Sequence, residues 1–257
     1  MLKKPVVYRL FFISILIIIW ELAAHFGPYP DALFPSLVAV VKRLGMLVME
    51  EALLLKALNS ISIVLIGMII SALIALTLSL LGIYLPFIKE NTKLLNSVAS
   101  PLPGIALLPI VILWLGLTSK AMMLIMVHAM LWPMVTTLTL ALERVHFKYL
   151  RLIKVFKIPF WRRISTIYLP GIINDVFAGF EIAWSRGWRT LLSVEMIFGI
   201  VGSHSGLGWL IYERRMYMDT AGMLAGLIAI AVCGVLFESV LFKAKRWEVF
   251  IGTTNLH

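Results

Sequence analysis

Residues 57–88 read ALNSISIVLIGMIISALIALTLSLLGIYLPFI, 32 positions between Lys56 and Lys89 without one charge. A helix of about 20 apolar residues crosses the roughly 30 Å hydrocarbon layer of a bilayer, so this stretch is long enough to span it. The habit recurs, because 94–119, 121–142 and 220–237 are uncharged as well. Backbone in lipid must satisfy its own hydrogen bonds, which leaves helices or closed barrels. Barrel strands alternate over about 10 residues, and these runs do not. With 61% hydrophobic and 14% charged residues, the chain reads as an all-α membrane protein, one transmembrane domain over 1–257.

The net charge of +10 invites nucleic acid, but its distribution points to the membrane instead. Spans are expected near 10–26, 58–83, 94–117, 119–142, 172–200 and 220–241. With the N-terminus cytoplasmic, 15 Lys and Arg fall on the inner segments and six on the outer ones. That asymmetry predicts six spans with both termini inside. The start, Met1-Leu-Lys-Lys-Pro5 and then Leu10–Trp20, imitates a secretory signal. No small-x-small cleavage site closes it, so it is expected to remain as the first helix. The single Cys233 lies in an apolar run and offers no disulfide framework.

Gly27-Pro-Tyr-Pro30 marks a turn, and 35–44 reads as a short helix at the outer interface. Gly67, Ser71, Ala75 and Ser79 repeat every fourth residue, as do Ala221, Ala225, Ala229 and Cys233. Small residues at that spacing let helices approach closely, either within one chain or across a dimer seam. Pro101, Pro103 and Pro109 put three prolines in nine residues. Each lacks an amide donor, so the third span is expected to break or bend. Such breaks survive at membrane depth where protein or a water-filled cavity satisfies the freed carbonyls. A pathway lining and a plain kink both fit.

The segment 143–170 carries Arg144, Lys148, Arg151, Lys154, Lys157, Arg162 and Arg163 against one acid, Glu143. Val155, Phe156, Ile158, Phe160 and Trp161 interleave with them. Resting on anionic headgroups would explain the cations. Cations together with aromatics go further and predict a short helix that docks into another protein.

Several chemistries find no residues. No G-x-x-x-x-G-K-[ST] occurs, so the chain itself holds no P-loop ATPase, and no H-E-x-x-H or Cys/His cluster offers a metal site. Ser203-His204-Ser205 lacks the second group that would build a nucleophile–base pair. His128 reads as a hydrogen-bonded core residue. The fifth span is interrupted by Asp175, Glu181, Arg186, Arg189 and Glu195. Charges at membrane depth face a bundle interior or an aqueous cavity. Arg186 and Arg189, three apart, share a helical face, whereas Glu195 lies roughly 240° round from Arg189. Interhelical ion pairs and a lining that attracts anions are the two explanations.

Together these stretches resemble the permease subunit of ATP-binding-cassette importers of the nitrate, sulfonate, taurine and bicarbonate group, over about four-fifths of the chain. The telling segments are 101–116, Glu195-Met-Ile-Phe-Gly199 and Ser205-Gly-Leu-Gly-Trp-Leu-Ile211, with Gly206 and Gly208 in the loop. The resemblance implies a type I importer fold of the methionine-permease kind. It implies a homodimer or heterodimer of permeases, two ATPase subunits that bind ATP and Mg2+, and an extracytoplasmic solute-binding protein. It places the chain in a prokaryotic cell membrane as a non-enzymatic subunit binding no cofactor itself. The solute would be a small anion, with a thiamine-precursor pyrimidine as the rival cargo; a stand-alone secondary transporter is the different class. The family's cytoplasmic loop carries Glu-Ala-Ala, a Gly six residues on, and Ile-x-Leu-Pro. Here Ile167-Tyr-Leu-Pro170 fits the ending, but Arg151-Leu-Ile replaces Glu-Ala-Ala and Lys157 replaces the Gly. By resemblance, Arg151, Lys154, Val155, Phe156, Lys157, Ile158 and Pro159 are the expected coupling residues. The pathway is expected at Pro101, Pro103, Arg186, Arg189 and Glu195.

Overall fold

The structure, a computed structural model, describes residues 4–199 and 205–254. Ser203 and His204 lie outside them, as does the expected end of the fifth span at 200. Among the described residues the elements are helical. They run α1 (Lys4–Phe26), α2 (Leu37–Met49), α3 (Leu53–Tyr84), α4 (Pro86–Ala99), α5 (Leu108–Leu115) and α6 (Ser119–Val155), then α7 (Phe160–Arg163), α8 (Leu169–Phe198), α9 (Leu207–Met216) and α10 (Thr220–Thr254). A 3-10 turn, Gly104–Leu107, precedes α5, and a π-helical turn, Ile164–Tyr168, joins α7 to α8.

Among the described residues, four segments are long and apolar enough to cross a membrane: Val7–Phe26, Leu53–Tyr84, Ser119–Val155 and Thr220–Val240. The expected third span over 94–117 is not one straight helix. A helix begins at Pro86 and stops at Ala99, and the chain turns by 88° into Gly104–Leu115. The cause is missing donors at Pro101 and Pro103. The Ala99 carbonyl takes the Leu102 N–H at 3.2 Å, and the Pro103 carbonyl takes that of Ala106 at 2.9 Å. Counted as one broken span, this pair makes a fifth. α8 is 30 residues, about 45 Å, so length suffices and its charges alone set it apart.

The core centres on α6, which packs chiefly against α3 and α8. The small residues of α3 explain that closeness, since Gly67, Ser71, Ala75 and Ser79 are all buried. A Cβ on Gly67 would come within 3.0 Å of Met130 Cε on α6. The Ser71 hydroxyl donates to the Gly67 carbonyl at 2.7 Å and lies 3.4 Å from that of Val127. Ser79 and Thr139 share a hydrogen bond of 2.9 Å. On α10, Ala225 is buried and a Cβ on Gly226 would lie 2.7 Å from Ile211 Cδ1 of α9. The α3 stripe therefore packs within the chain, and so does Ala225 of the α10 stripe. α1 stands apart with Phe11, Ile15, Leu16 and Ile19 exposed, held by Trp20 Nε1–H to the Pro35 carbonyl and by Glu21 accepting the Leu37 N–H.

One expectation needs correcting beyond the fourth expected span. No separate short helix opens the segment 143–170, because α6 continues unbroken to Val155. At about 1.5 Å per residue its 37 residues reach roughly 55 Å, well past the hydrocarbon layer.

Candidate functional site

α6, α8 and the proline break border an open cleft of about 370 Å³, into which the exposed Arg186 and Arg189 face. Pro101, Pro103, Arg186 and Arg189 line it together, so four of the five expected pathway residues meet in one place. Gly104 fits the break against both helices: its nearest neighbours are Thr190 Cγ2 of α8 and Ala129 Cβ of α6, 3.3 and 3.4 Å from an ideal Cβ. Arg189 donates through Nε to the Ser185 carbonyl at 2.9 Å and through Nη2 to the Ser185 hydroxyl at 3.1 Å. Neither arginine pairs with a carboxylate among the described residues. His128 and Trp132, one turn apart on α6, complete the wall. Their rings meet edge to face with centroids 6.3 Å apart, and His128 Nδ1 and Trp132 Nε1 are buried with no hydrogen-bond partner. Sequence reasoning placed His128 in the core and passed over Trp132. The i, i+4 spacing was the available signal, but which face α6 turns to α8 depends on packing.

The fifth expected pathway residue is elsewhere. Glu195 is 2% exposed and sits where α8 meets α3 and α9. Ser60 Oγ lies 2.8 Å from its Oε1 and 3.0 Å from its Oε2, and the Gly208 N–H donates to Oε2 at 2.8 Å. Ser60 Oγ in turn accepts the Leu207 N–H at 3.0 Å, and Asn59 donates to the Ser205 carbonyl at 3.2 Å. The carboxylate therefore closes the amino end of α9, where free N–H groups and the helix dipole favour negative charge. The loop glycines serve this clamp. A Cβ on Gly206 would overlap the Glu195 carboxylate, and one on Gly208 would overlap the Leu192 carbonyl oxygen. Gly199 at φ +68 turns the chain out of α8.

The ends of α2, α3, α9 and α10 are tied by a charge network that sequence reasoning did not resolve. Arg43 of α2 reaches Glu51 at 3.1 Å and Asp219 at 2.8 Å, and Arg214 of α9 pairs with Glu51 and with Asp219. Burial would raise the Asp219 carboxyl, but the Gly222 N–H and the Arg43 guanidinium outweigh it and hold the group below its ordinary value.

At its carboxyl end, α6 closes in a Schellman turn. The Ile158 N–H returns to the Ile153 carbonyl at 3.2 Å and the Lys157 N–H to that of Lys154 at 3.4 Å. Lys157 has φ +46, the left-handed region that glycine occupies without strain. This gives a physical reason for a glycine in the corresponding family position: backbone conformation, rather than close approach of a partner. We expect Lys157→Gly to stabilise the turn by about 0.5–1 kcal/mol and Lys157→Val to destabilise it. Denaturant unfolding of the solubilised protein should rank Gly above Lys above Val; any other order would show that the turn is not strained at this position.

Arg163 connects this turn to the bundle. Its Nε donates to the Ile158 carbonyl at 2.6 Å and its Nη1 to the Tyr84 hydroxyl at 3.5 Å. Tyr84 shares a hydrogen bond of 3.0 Å with the buried Tyr168, which meets His146 Nδ1 at 2.8 Å. One polar chain thus joins the turn to the ends of α3 and α6 and to the start of α8.

The sequence pattern of binding-protein-dependent transport system inner membrane components matches residues 10–242. The chain is similar to a putative aliphatic sulfonates transport permease of Bacillus subtilis, 24% identical over 236 residues, 91% of this chain and 83% of the relative. It is similar to the nitrate import permease of a Synechocystis strain, 21% identical over 235 residues, 88% and 83% of the two chains. It is also similar to the formylaminopyrimidine transport permease of Halalkalibacterium halodurans, 24% identical over 238 residues, 91% and 92% of the two. Running from the first helix into the last, the match makes this chain a member of the binding-protein-dependent transport system inner membrane component family, the multi-pass permease subunits of ATP-binding-cassette importers.

Proposed function

We propose that the chain carries a small anion across the membrane by alternating access, receiving it from an extracytoplasmic solute-binding protein and releasing it to the cytoplasm. Two permease copies and two ATPase subunits complete the machine, with ATP and Mg2+ on the latter. The observation that supports an anion is the pair Arg186 and Arg189, facing a cavity beside a broken helix with no carboxylate partner among the described residues. That pattern favours the sulfonate or nitrate cargo of two relatives over the pyrimidine of the third.

The docking surface is the tip of α6 and the turn beyond it. Val155, Phe156 and Trp161 are 69%, 72% and 79% exposed. The length of α6 carries them past the hydrocarbon, so lipid does not account for their exposure and a protein groove does. Arg151, Lys154 and Lys157 flank them and suit an acidic rim on the ATPase, with Ile158 and Pro159 shaping the turn. This orientation puts both termini on the cytoplasmic face, in agreement with the cation asymmetry. Exposed charge pairs contribute only about 0–1 kcal/mol each, so burial of Phe156 should hold the joint and charge should tune it. Phe156→Ala is expected to lower ATPase co-purification about tenfold. Lys157→Glu should weaken it chiefly at low salt, where screening is least. Full, salt-independent recovery of the ATPase with both variants, together with normal uptake, would remove the joint from these residues.

A further inference from the structure

We propose that the cavity between α6, α8 and the Pro101–Gly104 break is itself a binding site for the transported oxyanion, held within one subunit by His128, Trp132, Arg186 and Arg189. The inference rests on the importer reading above and adds to it a ligand class and a resting place for the solute inside the membrane.

Depth comes first. At about 1.5 Å per residue, Arg189 and Arg186 lie roughly 14 and 18 Å along α8 from its end at Phe198, inside the span expected over 172–200. A cation there is costly unless something compensates it. Elsewhere this chain pairs its cations across helices, as with Lys89 and Glu143 at 2.7 Å or Arg144 and Asp175 at 2.5 Å. The two cavity arginines depart from that habit. Arg189 commits two donors to Ser185, which fixes the guanidinium while leaving its other N–H groups free.

The opposite wall points the same way. Buried polar atoms almost always have partners, yet Trp132 Nε1 and His128 Nδ1 have none. The indole nitrogen can only donate, so an acceptor is what that wall lacks. Among the described residues no Asp or Glu lines the cavity. Two guanidinium groups on one helix and an indole N–H on another suit a compact, multiply accepting anion better than an uncharged heterocycle that needs acceptors as well. The cavity's volume of about 370 Å³ falls in the range of small-ligand pockets, about 300–1,000 Å³. A sulfonate-type or nitrate-type oxyanion meets every one of these conditions. A phospholipid headgroup shares the chemistry and must be separated by experiment.

The test uses the permease–ATPase complex in phospholipid nanodiscs without the solute-binding protein, and radiolabelled methanesulfonate in equilibrium dialysis. Saturable binding is expected. Arg186→Gln and Arg189→Gln should each weaken it about tenfold, Trp132→Phe less, and the exposed Arg215→Gln of α9 not at all. Absence of saturable binding, or binding that survives the Arg186→Gln/Arg189→Gln double variant, overturns the proposal. So does a preference for an uncharged aminopyrimidine. Binding that appears only once phospholipid is stripped away assigns the cavity to a headgroup and overturns it too. ATPase association and ATP hydrolysis are read on the same preparations. If both persist while methanesulfonate fails to bind, the site falls and the importer stands; if the ATPase never associates, both fall.

Discussion

Glu195→Ala is expected to destabilise the protein by about 3–5 kcal/mol, a large share of the 5–15 kcal/mol that separates folded from unfolded domains. The carboxylate accepts from Ser60 and from the Gly208 N–H in a site only 2% exposed. Removing it strands both donors, each at about 1–3 kcal/mol, and leaves a void. Glu195→Gln should cost only about 1–2 kcal/mol. The amide oxygen can still accept from Gly208, and the Ser60 oxygen can accept from the new NH2 while losing a partner for its own proton. Gly208→Ala should resemble Glu195→Ala, because its Cβ would overlap a main-chain carbonyl oxygen, that of Leu192, which cannot swing away as a side chain can. The two changes destroy one joint, so the double variant should be much less destabilised than the sum of the singles. Thermal unfolding of the solubilised protein reads all four. Equal, small effects of Ala and Gln at this position would show that the clamp does not hold α9.

That clamp also shows where sequence reasoning reached its limit. Glu195, Gly206 and Gly208 were legible as important, through the segments that carry the family resemblance, but their purpose was not. A charge inside an apolar span suggests a pathway; the approach of α9 shows that it also caps a helix. The apolar runs of α3 and α10 were plain from hydropathy. The extension of α6 beyond the expected span was not, because after Leu142 the chain turns amphipathic. Arg144, Lys148 and Arg151 fall on one face while Val145 and Ile153 are buried on another, a helical period concealed by the density of charge. The shared face of Arg186 and Arg189 followed from their spacing. The wall opposite them required the rotation of α6, which is set by its packing against the small residues of α3.

Arg163→Ala is expected to cut solute uptake at least tenfold while the ATPase still binds and still hydrolyses ATP. Val155, Phe156 and Trp161, proposed above to dock the ATPase, are exposed and take no part in the hydrogen bonds of this arginine. What depends on it is the bridge from the Ile158 carbonyl to Tyr84, and through Tyr84 to Tyr168 and His146. Without it, force applied to the turn reaches α8 through the π-helical turn Ile164–Tyr168 and the packing of α6 on α8, with no hydrogen-bonded tie from the Ile158 carbonyl to the bundle. Lysine cannot make both bonds, since it replaces a rigid fork by a single point of donation, so Arg163→Lys should recover little. Tyr84→Phe and Tyr168→Phe each remove one hydroxyl from the chain and should lower uptake in the same direction by a smaller factor. The decisive measurement is the ratio of solute moved to ATP hydrolysed in reconstituted vesicles. A lowered ratio with normal ATPase recovery identifies Arg163 as a coupling link. Loss of the ATPase itself would make the arginine part of the docking surface, and an unchanged ratio would leave the chain of hydrogen bonds with a purely structural role.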